Sequence, residues 1–212
     1  MSLRKIVLGT LGVTSAVLIT TATVYAASTD TDDHLSVPTG TTVTGALKTG
    51  TNMVFHGTIN GVPITVNCKT FSASGKTPAK GITVTLPAPP TISGCTDTIG
   101  GTDTLKTNQT NAKWKLKGVD APNDENQTEP NTGDKLTLII PKAGATFTSS
   151  VLPGCTLTAA PSASAGVAGK YDDVNTDTVT NASIAVTAAG CSASTAKVSA
   201  TVVLSPGFND VS

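Results

Sequence analysis

Asn52–Cys68 reads NMVFHGTINGVPITVNC, and this stretch decides the class of the chain. Asn52–Ile59 and Val62–Cys68 are rich in β-branched and aromatic residues, and Ile64, Val66 and Cys68 alternate with polar neighbours. Asn60-Gly61 stands between the two runs. A two-residue type I′ turn needs positive φ at both central positions, which Asn-Gly supplies at least cost, so the stretch predicts a tight β-hairpin. The same pattern extends in both directions. Further strands are expected at Thr42–Leu47, Ile82–Leu86, Thr102–Asn108, Lys113–Val119, Lys135–Ile140, Ala145–Ser149, Thr178–Ala182, Ile184–Ala188 and Ala196–Leu204. Gly, Pro, Asn and Asp punctuate the chain about every ten residues. Threonine supplies 39 of the 212 residues, and no helical period appears after the first residues. The expectation is an all-β fold: an antiparallel β-sandwich, immunoglobulin-like or jelly-roll-like.

Four cysteines, Cys68, Cys95, Cys155 and Cys191, allow three pairings. Cys68–Cys95 with Cys155–Cys191 is preferred, each closing a loop worth roughly 3–4 kcal/mol in the chain-entropy model. A loose internal echo supports it. Both Cys68 and Cys155 precede a small-residue loop and a strand pair that ends in Gly-Cys, at Gly94-Cys95 and Gly190-Cys191. Two organisations follow. Residues 41–212 form one sandwich domain, or two pseudo-repeated halves, 41–119 and 135–212, each with one disulfide, are joined by the polar loop 120–134 (DAPNDENQTEPNTGD). The first organisation is preferred because strand patterning resumes directly at Lys135.

The first residues have the form of an export signal. Arg4 and Lys5 precede an uncharged apolar stretch, and Thr23-Val24-Tyr25-Ala26 suits cleavage after Ala26. Residues 1–26 are thus expected to be a signal peptide, and 27–40 a flexible mature N-terminus. A secreted or extracellular location, cell-wall associated in one reading, follows from the signal and the even cysteine count. No membrane anchor is expected to persist after cleavage. The signal holds two of fourteen Lys/Arg and none of fourteen Asp/Glu, leaving the remainder with about two excess negative charges. That balance argues against a nucleic-acid partner. With one Trp, two Tyr and four Phe, the core must rest on small and β-branched residues, and disulfides would reinforce it.

Few residues suggest chemistry. Asp173, Asn175 and Asp177 share the D-x-N-x-D spacing of a calcium loop, but Thr178 and Ile184 stand where Gly and Glu are required, so no metal site and no cofactor are expected. In Lys113-Trp114-Lys115-Leu116-Lys117 a strand would turn the lysines to one face and Trp114 with Leu116 to the other. The ordinary reading is an outer strand anchored by Trp114. The functional one is a basic stripe, Lys113, Trp114, Lys115 and Lys117, that binds anionic wall polymers. His34 and His56 accompany no nucleophile elbow, and no catalytic residue is assigned. A Ser-His-Asp site would have to use His56.

Val66-Asn67-Cys68-Lys69-Thr70, Gly94-Cys95-Thr96 and Lys113-Trp114-Lys115-Leu116 together resemble small secreted Thr/Ala/Gly-rich β proteins of actinomycete-type bacteria. The resemblance implies secretion and a sandwich-like fold and transfers no site residue. The functional expectation is a secreted or cell-surface interaction or structural protein without catalytic activity, its partner an extracellular protein or wall polymer. The alternatives are a wall-polymer or glycan-binding module with the Trp114 strand as contact, and a protease inhibitor presenting Leu86 to Thr91.

Overall fold

The structure is a computed structural model that describes residues 34–36, 38–78, 83–119, 134–172, 174–193 and 195–211. The expected signal peptide and its cleavage site, most of the loop 120–134, and Asp173 lie outside these residues. The described part is all-β and antiparallel, as the sequence predicts, with strands packed sandwich-like across one apolar core.

A short strand β1 (His34–Ser36) is followed by β2 (Thr42–Leu47), β3 (Met53–Ile59), β4 (Val62–Lys76), β5 (Thr83–Thr85) and β6 (Thr91–Asp97). Next come β7 (Thr102–Thr107), β8 (Lys115–Val119), β9 (Lys135–Ile140), β10 (Ala145–Ser149) and β11 (Thr156–Ala159). The chain continues with β12 (Ala165–Tyr171), β13 (Thr176–Ala189), β14 (Thr195–Ser205) and β15 (Asn209–Val211). β1 pairs with β15, so part of the segment expected to be flexible is a strand. Its acidic surroundings hid a partner that lies at the far end of the chain.

The other strands form a 13-stranded sheet whose pairings close on themselves. β2 and β3 both run antiparallel to β4, and β5 and β6 likewise lie along β4. β7 with β8, β9 with β10, and β11 with β12 repeat this end-to-end arrangement, followed by the unbroken β13 and β14. The result is eight long runs in simple meander order, and the last, β14, pairs back onto β2 and β3. The layers of the expected sandwich are therefore joined all round into a closed up-and-down barrel, which among the described residues leaves the main sheet no free edge. Strands from residues 41–119 and 135–212 share this one sheet.

Four of the five breaks within the runs fall where the sequence cannot continue a ladder, at Gly50, Pro87 with Pro89 and Pro90, Pro141 with Gly144, and Pro161, while the fifth, between β7 and β8, holds neither Gly nor Pro. They adjoin one another. Leu86 N–H donates to Trp114 O, Asn108 N–H to Gly144 O, and Ala143 N–H to Ala160 O, at 2.9, 2.8 and 2.8 Å. This belt divides the barrel into an upper part, toward residues 60–61, 98–101, 150–155 and 190–193, and a lower part.

The upper turns are tied together. Asn60 and Gly61 have φ of 51° and 81°, the predicted type I′ hairpin. Asn60 Oδ1 accepts from Ser192 N–H at 2.8 Å. Cys155–Cys191 joins the 150–155 turn to residues 190–193, while Cys68–Cys95 links directly opposed residues of β4 and β6. Both pairings are the predicted ones. The lower end is closed by Phe208, whose N–H donates to Tyr171 Oη at 2.7 Å and whose carbonyl accepts from it at 2.9 Å. Their rings meet edge to face at 6.3 Å.

Candidate functional site

Residues that point into a barrel of this size should be its most buried, because eight strands leave room for little beyond their own side chains. Here Phe55, Ile92, Leu105, Phe147 and Leu157 face inward and are only half-buried. Between them lies a cavity of about 120 Å³ in the upper half. Its walls are almost wholly apolar, and His56, Thr58 and Thr195 on β3 and β14 border it from positions whose side chains are exposed. The cause is visible in the sequence: Gly57, Ala145, Ala159 and Ala196 occupy wall positions where larger side chains would fill the space. Trp114 is 1% exposed, forms part of the wall, and donates its Nε1–H to Asn108 O at 2.7 Å. A second cavity of about 60 Å³ lies below the belt.

Among the described residues three carboxylates are buried, Asp103, Asp134 and Asp177. Asp103 and Asp177 have oxygens without a hydrogen-bond partner, and neither was singled out for an inward position by the sequence reading. Asp177 is 8% exposed, borders the lower cavity, and its Oδ1 has no hydrogen-bond partner. Burial, reinforced by the charge of Asp172, pushes it up to about 7. Asp172 itself is raised by burial but more strongly lowered by N–H groups of Thr176, Asn175 and Val174, and so stays below its ordinary value. Asp103, at the upper end, is 6% exposed. Burial, aided by the neighbouring charge of Asp97 and opposed by Ser149, pushes it up to about 6. Although burial raises Asp97, N–H groups of Gly101 and Ile99 and the hydroxyl of Ser149 outweigh it and hold Asp97 low. Ser149 gives its proton to Asp97 at 2.7 Å, so this cluster fastens the 98–101 turn to β10. The signal for both inward carboxylates was strand parity: Asp103 shares its face with Leu105, and Asp177 with Val179.

Of the calcium spacing, Asp173 lies outside the described residues. Asp177 points into the barrel, the side-chain oxygen of Asn175 accepts from Thr176, and the described residues contain no cluster of three or more metal-ligating side chains. The alternation at 113–117 holds: Lys113, Lys115 and Lys117 are exposed, Trp114 and Leu116 turn inward. Trp114 is thus out of reach of a surface glycan, which removes it from the expected contact strand. His56 is exposed, with Nδ1 at 3.0 Å from Thr65 Oγ1. The segment from Leu86 to Thr91 lies along the barrel wall. Leu86 and Pro90 are buried, and Pro87 O accepts from Gln109 and Lys113, so the segment does not project as an inhibitory loop would. Compared with known proteins, the chain matches no family model, no curated sequence and no solved structure.

Proposed function

We propose that this chain is an exported barrel that acts by binding, holding a small apolar molecule in its upper cavity, and that it carries out no catalysis of its own. The observation behind the reading is the group of inward-facing apolar side chains, Phe55, Ile92, Leu105, Phe147 and Leu157, left half-buried around about 120 Å³ of space. Apolar cavities of that order stay dry and accept benzene-sized guests, and eight-stranded barrels either fill with side chains or hold one small ligand. The two disulfides are compatible with an extracellular location, and the N-terminal pattern supports export to it.

Trp114 is the sole tryptophan and stands on the cavity wall, so a guest reports itself through tryptophan emission. Titration with benzene or short alkanes is expected to change that emission saturably. Ala159→Leu, which fills the cavity, is expected to abolish the change and to stabilise the fold by about 1 kcal/mol. An unchanged emission on titration, with the Ala159→Leu protein behaving alike, would count against the reading.

A second reading, retention on an anionic wall polymer, draws on the outer surface. Lys113, Lys115 and Lys117 are exposed beside Lys135, which lies directly opposite exposed Lys170 in the β9–β12 ladder. Like charges placed opposite one another are unfavourable and invite a polyanion. Changing Lys113, Lys115 and Lys117 to Glu is expected to abolish retention on isolated wall material; full retention would remove this reading.

A further inference from the structure

The lower cavity differs from the upper in one side chain. Of the residues around it, Asp177 and Ser74 are polar, and Ser74 belongs to the exposed side of β4. Among the described residues that line this cavity, Asp177 is thus the polar side chain that turns inward, and its Oδ1 is buried and unpartnered. An orphaned buried carboxylate oxygen is costly, and native structures seldom leave one without a partner to receive. Gly169 of β12 stands beside Asp177, where any Cβ would overlap the carboxylate.

The two cavities are not separate compartments of different make. Met53, Phe71, Leu138, Val167 and Val198 line both, so the apolar wall is continuous across the belt. Below Asp177, Tyr171 is fully buried and locked to Phe208, which closes the base. Beneath a guest in the upper cavity therefore stand the apolar side chains shared with the lower cavity, then a hydrogen-bond acceptor, then a floor.

We infer that this interior seats a linear amphiphile, its alkyl chain in the upper cavity and a hydrogen-bond-donating end, hydroxyl or ammonium, against Asp177. This rests on the proposed reading of the barrel as an apolar binding site. A carboxylate end would bring two acceptors together, and a plain alkane would leave Asp177 as it is. Octan-1-ol, octylamine, octanoate and octane share one chain length and differ at the end that reaches Asp177.

The test is titration of the purified full chain with these four compounds at pH 8, read by Trp114 emission. Octan-1-ol and octylamine are expected to bind about tenfold or more tighter than octanoate or octane, the scale of one hydrogen bond to a charged acceptor. The comparison is stringent, because octane leaves water more readily than octanol does. Asp177→Leu is expected to erase the preference, and Asp177→Asn to keep octan-1-ol while losing the advantage of octylamine. The unaltered protein decides the matter even where a variant fails to fold. Equal binding of octane and octan-1-ol, or a preference that survives Asp177→Leu, overturns the assignment and leaves the apolar site standing. Failure of all four to bind removes the apolar site itself.

Discussion

Above the belt of strand breaks the barrel encloses about 120 Å³ and carries both disulfides; below it the space falls to about 60 Å³, and Tyr171 with Phe208 fills the base. The two halves use the same strands and the same inward alternation, and they differ in how the interior is held. A cavity forfeits dispersion contacts at about 24 cal/mol per Å³, so the upper one costs about 3 kcal/mol. Each disulfide closes a loop of 27 or 36 residues and contributes roughly 3–4 kcal/mol. The covalent links thus stand where packing is thinnest and offset a deficit of their own size. Keeping a cavity open in a core poor in aromatic rings is what they make affordable.

Removing the staples probes the upper half hardest. Replacing Cys68 and Cys95 by Ala is expected to cost at least about 3–4 kcal/mol in denaturant unfolding. Replacing Cys155 and Cys191 should cost less, although its loop is slightly longer. Cys68 and Cys95 are 0% and 2% exposed and leave a void, whereas Cys191 is only half-buried. Equal losses would show that loop entropy alone sets the contribution.

Asp177 sharpens the comparison from below. Its folded value of about 7 lies above the ordinary value of 3.8, so the folded state holds this proton more tightly than the unfolded chain does. Stability should therefore fall as pH rises through that interval and level off above about 7. Asp103, raised to about 6, acts in the same direction at the upper end. Between pH 5 and pH 8, Asp177→Asn is expected to remove a loss of about 2–3 kcal/mol, with the thermal midpoint measured at both pH values. An unaltered pH profile in that variant would place the effect elsewhere.

The smallest effect is expected at the floor. Tyr171→Phe keeps the ring packing but leaves the N–H and carbonyl of Phe208 without their shared partner, at a cost of about 1–2 kcal/mol. The loss should appear as faster hydrogen exchange at Phe208, with protection of the upper strands unchanged. Uniform loss of protection would mean that the two halves unfold as one.

Where local chemistry decides, the sequence was readable. Thr42–Leu47 and Ala145–Ser149 are strands as predicted, the Asn60-Gly61 turn is where Asn-Gly requires it, and both disulfides pair as the internal echo suggests. Small residues concealed the rest. β4 runs on to Lys76 through Phe71-Ser72-Ala73-Ser74, and β12 is Ala165–Tyr171, both read as loops because Ala, Gly and Ser carry little β preference. β13 was read as two strands. It is one, with an irregularity between Val179 and Ala182 and Asn181 at φ 50°. Closure of the barrel depends on β14 meeting β2 and β3 across most of the chain, which no local pattern encodes. The cavity is harder still to read, since it is a shortage of volume summed over strands far apart in sequence. Asp177 was visible, but its D-x-N-x-D spacing drew attention from the inward parity it shares with Val179.

The central claim is that the upper half of the barrel is open, apolar and able to take a guest. Diffraction from a crystal held under xenon tests this most directly, because xenon occupies dry apolar space without needing polar partners. The account predicts a xenon peak enclosed by Phe55, Leu105, Phe147 and Trp114, absent in Ala159→Leu. An upper barrel without xenon, its inward side chains closed on one another, would contradict it.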